Sequence, residues 1–213
     1  MRFKHSRKGF ISQGFAQNAN GAYKKQGLIG HTGVDWVHGY GTPVQTDNKG
    51  FVYKVYTEGD RKDNWQAVYQ LVKLTKHTYM EVTIGHLSEI YVKEGQTLPE
   101  DYFVGAEGNK GMVFSQGVRI TPTMQRNGDR RGSHVHESYR PCERVKKISR
   151  KEYYLLKDGK KYKDKAGYFY QIINRDNGVR GCVDPRRFDY VTSAREKLSN
   201  FTIVLKYIKS LIK

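Results

Sequence analysis

Apolar and polar side chains alternate over much of residues 50–90, and a period of two marks strands with one face against a core. Phe51-Val52-Tyr53-Lys54-Val55-Tyr56 follows the turn signal Lys49-Gly50, and the run from Trp65 to Leu74 alternates well enough to be its partner across the polar loop 57–64. Met80-Glu81-Val82-Thr83-Ile84 alternates in the same way, so antiparallel sheet is predicted. From Met112 to Gly132 the pattern lapses into a polar stretch with Gly117 and Pro122, which predicts a long loop. Residues 145–170 are rich in Lys and Tyr, and Lys157-Asp158-Gly159-Lys160-Lys161-Tyr162 predicts a solvated surface hairpin. A strong helical period appears only from Ser193 to Lys213, where Leu198, Phe201, Leu205, Ile208 and Ile212 share a face and Ser193 with Glu196 forms a capping box. Packing on its own domain is the expectation for this helix, while membrane-surface binding or docking into a larger assembly also fits its basic amphipathic character. The expected fold is mainly β, an antiparallel core with long loops and a C-terminal amphipathic helix.

Composition narrows the class. At 213 residues the chain suits one domain with an elaboration, and 37% hydrophobic and 13% aromatic residues exclude general disorder. The excess of 38 Lys+Arg over 21 Asp+Glu is uneven. Residues 144–213 hold 19 basic and 7 acidic residues, or +12, which leaves 19 minus 14, or +5, for residues 1–143. Such a field attracts polyanions, yet no nucleic-acid-binding signature accompanies it, so no specific nucleic acid is expected. The basic start Met1–Lys8 has no apolar run behind it, and no stretch approaches the ~20 apolar residues of a membrane span. Neither a signal peptide nor a transmembrane segment is therefore expected. Cys142 and Cys182 form no Cys-x-x-Cys metal motif, and free thiols are the expectation for both.

The candidate chemistry lies in three short segments. In Ser133-His134-Val135-His136 a strand would project both imidazoles from one face. A lone His-x-His is weak evidence, but upstream Gly30-His31-Thr32-Gly33-Val34-Asp35 offers one nitrogen and one oxygen from a turn into a strand. With one histidine of the later pair these make three protein ligands and leave a fourth position open, the pattern of catalytic zinc. Between them Gly85-His86-Leu87-Ser88 ends the alternating run that begins at Met80.

These segments, in this order, resemble the signatures of the lysostaphin-type zinc endopeptidases, which cut peptidoglycan cross-bridges or stem peptides. The family's His-x-Gly-x-Asp, Gly- or Ala-His-Leu-Ser and His-x-His are all present. The resemblance extends through Gly41-Thr42-Pro43-Val44, Gly50-Phe51-Val52, Val92-Lys93-Glu94-Gly95-Gln96, Val104-Gly105, Gly108-Asn109-Lys110-Gly111 and the close from Asn177-Gly178 to Val183-Asp184-Pro185, so it covers about residues 10 to 190. It implies His31, Asp35 and His136 as ligands of one zinc ion and His86 and His134 as catalytic histidines beside it. It also implies the lysostaphin-type β fold and peptidoglycan as substrate. Tyr23 falls in a segment similar to the family's N-terminal part, from which a tyrosine would donate to a tetrahedral intermediate. Trp36 is expected to pack, and His5, His38 and His77 match no motif.

The resulting expectation is a zinc endopeptidase domain over residues 1–190, with a basic insertion at about 145–170, followed by a basic amphipathic helix over 191–213. Anionic wall polymers are the expected partners of the basic region. A wall-cutting enzyme without an export signal suggests a phage protein, carried in the virion tail among other virion proteins or released from the host cytoplasm as an endolysin. The alternative is a non-catalytic virion protein that keeps the fold, against which the intact ligand set argues.

Overall fold

The computed structural model describes residues 2–3, 8–18, 21, 23–149, 153–187 and 190–191. The segment expected to form the C-terminal helix lies outside the described residues. Seven strands form the path of the main sheet: β1 (Phe10–Gln13), β2 (Val34–Val37), β3 (Gly50–Tyr56), β4 (Ala67–Lys73), β5 (Thr78–Gly85), β6 (Thr97–Leu98) and β7 (Val135–Val145). Their spatial order is β1-β2-β7-β5-β4-β3-β6, every pairing is antiparallel, and β8 (Phe169–Ile172) pairs with the far end of β7. The long strand β7 is thus central: it meets β2 over Val135–Glu137, β5 over His136–Glu143 and β8 over Cys142–Val145. A second, three-stranded sheet joins Pro43–Thr46, Tyr102–Ala106 and Glu89–Ile90.

The alternation read from the sequence divides between two cores. Val52, Val68, Val72, Met80, Val82, Ile84, Val135 and Tyr139 point to one face, where Val44, Leu87, Val104 and Val183 complete a buried cluster. Tyr53, Leu71 and Cys142 point to the other. Within this second face Glu81 accepts from the Tyr53 hydroxyl and from the Arg140 guanidinium, so its buried carboxylate is compensated rather than stranded.

Two expectations change here. The hairpin predicted near residue 159 is present, as Leu156–Lys157 paired with Lys160–Lys161, but the segment is more than solvated surface. Leu155, Tyr162 and Tyr170 are buried against Tyr53 and Leu71, so the 153–172 excursion covers the second face of the sheet. Apolar positions spaced between lysines hid this, because neither period of two nor of 3.6 shows through them. The stretch from Met112 to Gly132 likewise holds a hairpin, Val113–Ser115 with Val118–Ile120, and a short helix α1 (Pro122–Arg126) whose N-terminus is capped by Thr121. Cys142 and Cys182 are both buried and free. Among the described residues no helix is long and apolar enough to cross a membrane.

Candidate metal centre

Asp35 on β2 and His136 on β7 are direct partners in the antiparallel ladder, so their side chains share a face. His31 reaches the same point from the turn before β2, held by backbone hydrogen bonds from its own N–H to Gln17 O and from Ala16 N–H to its carbonyl. Gly33 lets the two segments approach. A Cβ at residue 33 would lie 2.3 Å from the Glu137 carbonyl oxygen and 2.8 Å from His136 Cε1, so any side chain there would push β7 away. The His-x-Gly-x-Asp spacing is therefore a packing requirement as well as a ligand pattern.

The three donor atoms converge. His31 Nε2 is 2.9 Å from His136 Nδ1 and 3.2 Å from Asp35 Oδ1, and His136 Nδ1 is 3.0 Å from the same carboxylate oxygen. All three residues are buried. Ligand atoms about 2.0–2.1 Å from a tetrahedral ion are roughly 3.3 Å apart, so two imidazole nitrogens and one carboxylate oxygen at this spacing fit a zinc ion with a fourth position open. His31 Nδ1 faces the Gly14 carbonyl at 3.3 Å; because a carbonyl only accepts, that nitrogen carries the proton and Nε2 keeps its lone pair for a metal. Burial alone would raise the Asp35 carboxyl, but the charge of His134 and the hydrogen bond from His136 outweigh it and hold the group well below the ordinary carboxylate range. It is an anion wherever the site would bind a cation.

Two further histidines stand beside this triad. His86 follows the end of β5 with φ of 62°, a left-handed conformation uncommon for a residue with a Cβ and found where surrounding structure enforces it. Its ring lies 4.2 Å from that of His134, centroid to centroid. His86 Nδ1 donates to the Lys110 carbonyl at 2.7 Å, and His134 Nδ1 donates to the Gly132 carbonyl at 2.7 Å. In the neutral form of each ring the proton sits on Nδ1, leaving Nε2 as a base. Burial, and then the adjacent His134, push the His86 pKa well below the ordinary histidine value, so this ring is neutral at physiological pH. His134 Nε2 is 3.6 Å from Asp35 Oδ2. Tyr23 lies at the edge of the same site, its ring 5.6 Å from that of His31 and its hydroxyl donating to Gln13. Burial and the Asp35 charge push its pKa up to about 12, so it stays a hydrogen-bond donor through the neutral range.

The family model for peptidase family M23 matches residues 29–141, a span that contains all five of these histidine and aspartate positions. The chain belongs to peptidase family M23. Solved structures similar to this M23 chain include a mutant of the catalytic domain of the prophage-encoded M23 protein EnpA from Enterococcus faecalis, at 24% identity over 52% of this chain and 67% of that one, with a TM-score of 0.36. The catalytic domain of lysostaphin from Staphylococcus simulans is 18% identical over 64% and 80% of the two chains, with a TM-score of 0.36. A zinc-containing peptidase from Vibrio cholerae is 20% identical over 62% of this chain and 33% of that one, with a TM-score of 0.42. No curated protein matches the chain.

Sequence reasoning missed the residues that hold the M23 histidines in place. Gln125 on α1 is buried and donates to the carbonyls of Asn109 and Gly111, on either side of the Lys110 carbonyl that anchors His86. Asn109 in turn donates to the Asp129 and Arg131 carbonyls, fixing the strand entry whose Gly132 carbonyl anchors His134. One amide network thereby sets the tautomer and orientation of both rings. Glu107, fully buried, binds the backbone N–H groups of His38 and Gly39 and the Ser133 hydroxyl, tying the end of β2 to the entry of β7. Trp65 packs edge-on against His86 at 4.6 Å, over Gly85, where a Cβ would lie 2.1 Å from the indole. Asn109 lies within the Gly108–Gly111 segment and Trp65 opens the alternating run to Leu74, but a lone Gln or Glu in a loop carries no signal.

Asn109→Ala removes two partly buried hydrogen bonds, at up to about 1–3 kcal/mol for each carbonyl left unsatisfied. The expected result is a lowered melting temperature together with an activity loss that exceeds the unfolded fraction, read by thermal denaturation and by kcat at a temperature well below the transition.

Proposed function

We propose that the chain is a zinc-dependent endopeptidase that hydrolyses peptide bonds in bacterial peptidoglycan cross-bridges or stem peptides. The observation that carries the reading is the convergence of His31 Nε2, Asp35 Oδ1 and His136 Nδ1 within 3.2 Å of one another, inside the span matched by the M23 family model. In this reading those three residues hold one zinc ion and His86 and His134 are the catalytic residues. When bound, the ion supplies Lewis acidity and makes water nucleophilic near neutral pH. The chain supplies the proton handling. His86, neutral and with Nε2 free, is suited to accept a proton from the attacking water. His134, beside the Asp35 carboxylate, is suited when it carries a second proton on Nε2 to donate to the oxygen on which charge develops or to the departing amine. Tyr23 supplies a further donor from the opposite edge.

Mass spectrometry of fragments released from purified sacculi tests this. New amino and carboxyl ends within cross-bridges or stems, with glycan strands intact, are expected. Cleavage confined to glycan, or no release by zinc-loaded protein, would overturn the reading. We propose further that residues 1–190 form the peptidase domain and 191–213 a basic helix, and that the enzyme is a phage tail-associated or endolysin-type protein. Its detection by immunoblot in washed virions is expected for the tail role and its absence from them for the endolysin role, while a gene outside any phage or prophage genome would exclude both.

The basic region is read as a hold on anionic wall polymers. Among the described residues the carboxylates of the insertion are already taken up, Asp158 by Lys54 and Asp164 by Arg144, as is the neighbouring Glu94 by Lys157. Lys146, Lys161 and Lys163 instead lie over the rings of Tyr168, Tyr154 and Phe169, which leaves their charge uncancelled. Sedimentation with purified walls should therefore weaken steeply with salt, since exposed charges are screened beyond ~10 Å at 0.1 M. Charge reversal at Lys160, Lys161 and Lys163 should weaken it further, and unchanged wall binding in that variant would rule the role out.

A further inference from the structure

At the far end of β7 from the metal centre, a cleft of about 280 Å³ opens between the β7–β8 ladder and the turn that follows β8. Glu143 stands on β7 opposite Gln171 on β8, and Asn174, Arg175 and Asp176 form the opposing lip with Tyr153. From His136 to Glu143 is seven residues of extended strand, or about 23 Å at ~3.3 Å per residue, so this cleft is separate from the site already described.

Some of the polar groups lining the cleft are satisfied. The Tyr153 hydroxyl donates to Asp176 at 2.5 Å, and the Gln171 side-chain Oε1 accepts from the Ser149 hydroxyl at 3.2 Å. Three groups are not. The Asn174 side-chain amide nitrogen is shielded from solvent and has no hydrogen-bond partner among the described residues, on a residue itself held in the left-handed region at φ of 53°. Among the described residues no carboxylate pairs with the Arg175 guanidinium. Burial, then the like charges of Arg140 and Arg180, lower its pKa, so the surroundings disfavour its positive charge and an arriving anion would relieve them. Glu143, in the same cleft, makes no ion pair among the described residues.

A buried amide donor left without a partner costs about 1–3 kcal/mol, and the Asn174 side chain recovers it by turning toward an acceptor in the cleft. A guanidinium lining the same cleft is suited to a carboxylate, which it can grip with two parallel N–H groups. The carboxylate of Glu143 would repel a simple anion, which excludes phosphate or sulfate as the best fit and favours a ligand that also carries a cation. We propose that this cleft is a second binding site, for short peptides with free ends: the terminal carboxylate on Arg175 and the Asn174 amide, the terminal ammonium on Glu143. The site needs no metal and stands whether or not the chain hydrolyses peptidoglycan.

Two-dimensional amide NMR of the full chain, titrated with ε-aminocaproate, tests the proposal with a ligand that carries both charges and has no peptide bond to cut. The Asn174 side-chain amide and the backbone amides of residues 171–176 should shift and saturate in roughly the millimolar range, with the resonances around His136 unmoved. Acetylating the amine of the ligand, or replacing its carboxylate by a methyl group, should each weaken binding about tenfold or more. Arg175→Gln should erase the preference for the carboxylate, and Glu143→Gln the preference for the ammonium, with zinc content unchanged in both. An Asn174 amide that does not respond, or blocked ligands that bind as well as the free zwitterion, would overturn it.

Discussion

Alanine at His31, Asp35 or His136 is expected to remove both bound zinc and hydrolysis of cross-linked peptidoglycan. Each donor sits within 3.2 Å of the other two, so losing one leaves a two-ligand site and, after Asp35→Ala, no negative charge to offset a divalent ion. Chelation of the wild type should reproduce the loss and zinc should restore it. The melting temperature carries an independent readout. An ion present at 100 times its dissociation constant stabilises the fold by ~2.7 kcal/mol, so chelator should lower the transition of the wild type and leave that of His136→Ala unmoved. Metal content that is unchanged in Asp35→Ala, or full-rate cleavage in excess chelator, would sink the assignment.

His86→Ala and His134→Ala should behave in the opposite way toward metal: near-stoichiometric zinc, yet an activity loss of about 10²–10⁴-fold. Neither ring contributes a donor atom to the triad, and each is pinned through Nδ1 to a backbone carbonyl that the substitution does not move. The loss should fall on kcat, with KM little changed, because in the proposed reading these rings act on protons in flight rather than on bound substrate. His86→Ala also leaves the Lys110 carbonyl unsatisfied and a void beside Trp65, so it should melt earlier; the zinc measurement separates that effect from catalysis. A His134→Ala protein that emptied the metal site, or a His86→Ala protein that cut at the normal rate, would refute this division of labour.

Much of this architecture was legible from the chain because alternation and ligand spacing are local. Residues 51–56, 65–74 and 80–84 announced β3, β4 and β5, and the three short motifs gathered the very residues that now stand around one point. What stayed hidden depends on contacts across the fold. Gln125 and Glu107 act through carbonyls and N–H groups brought near by other segments, and no spacing in the sequence marks them. Leu155 and Tyr162 lie among lysines and Tyr170 just beyond them, where burial comes from a tyrosine-lined sheet face rather than from a periodic pattern. The hairpin after Met112 pairs only three residues on each side, too few for alternation to register.

The ladder partners of β7 set the timing of assembly. His31 and His136 are 105 residues apart in sequence, and Asp35 and His136 are 101 apart. On a ribosome that adds about 5–20 residues per second, the first of these side chains waits roughly 5–20 s before the last has been made. Pairings of such span close slowly even in the finished chain, because the intervening loop must be ordered before any contact rewards it. A nascent or prematurely terminated chain that ends before β7 therefore has neither the central strand nor a complete set of donors, so the site exists only once β7 has been made.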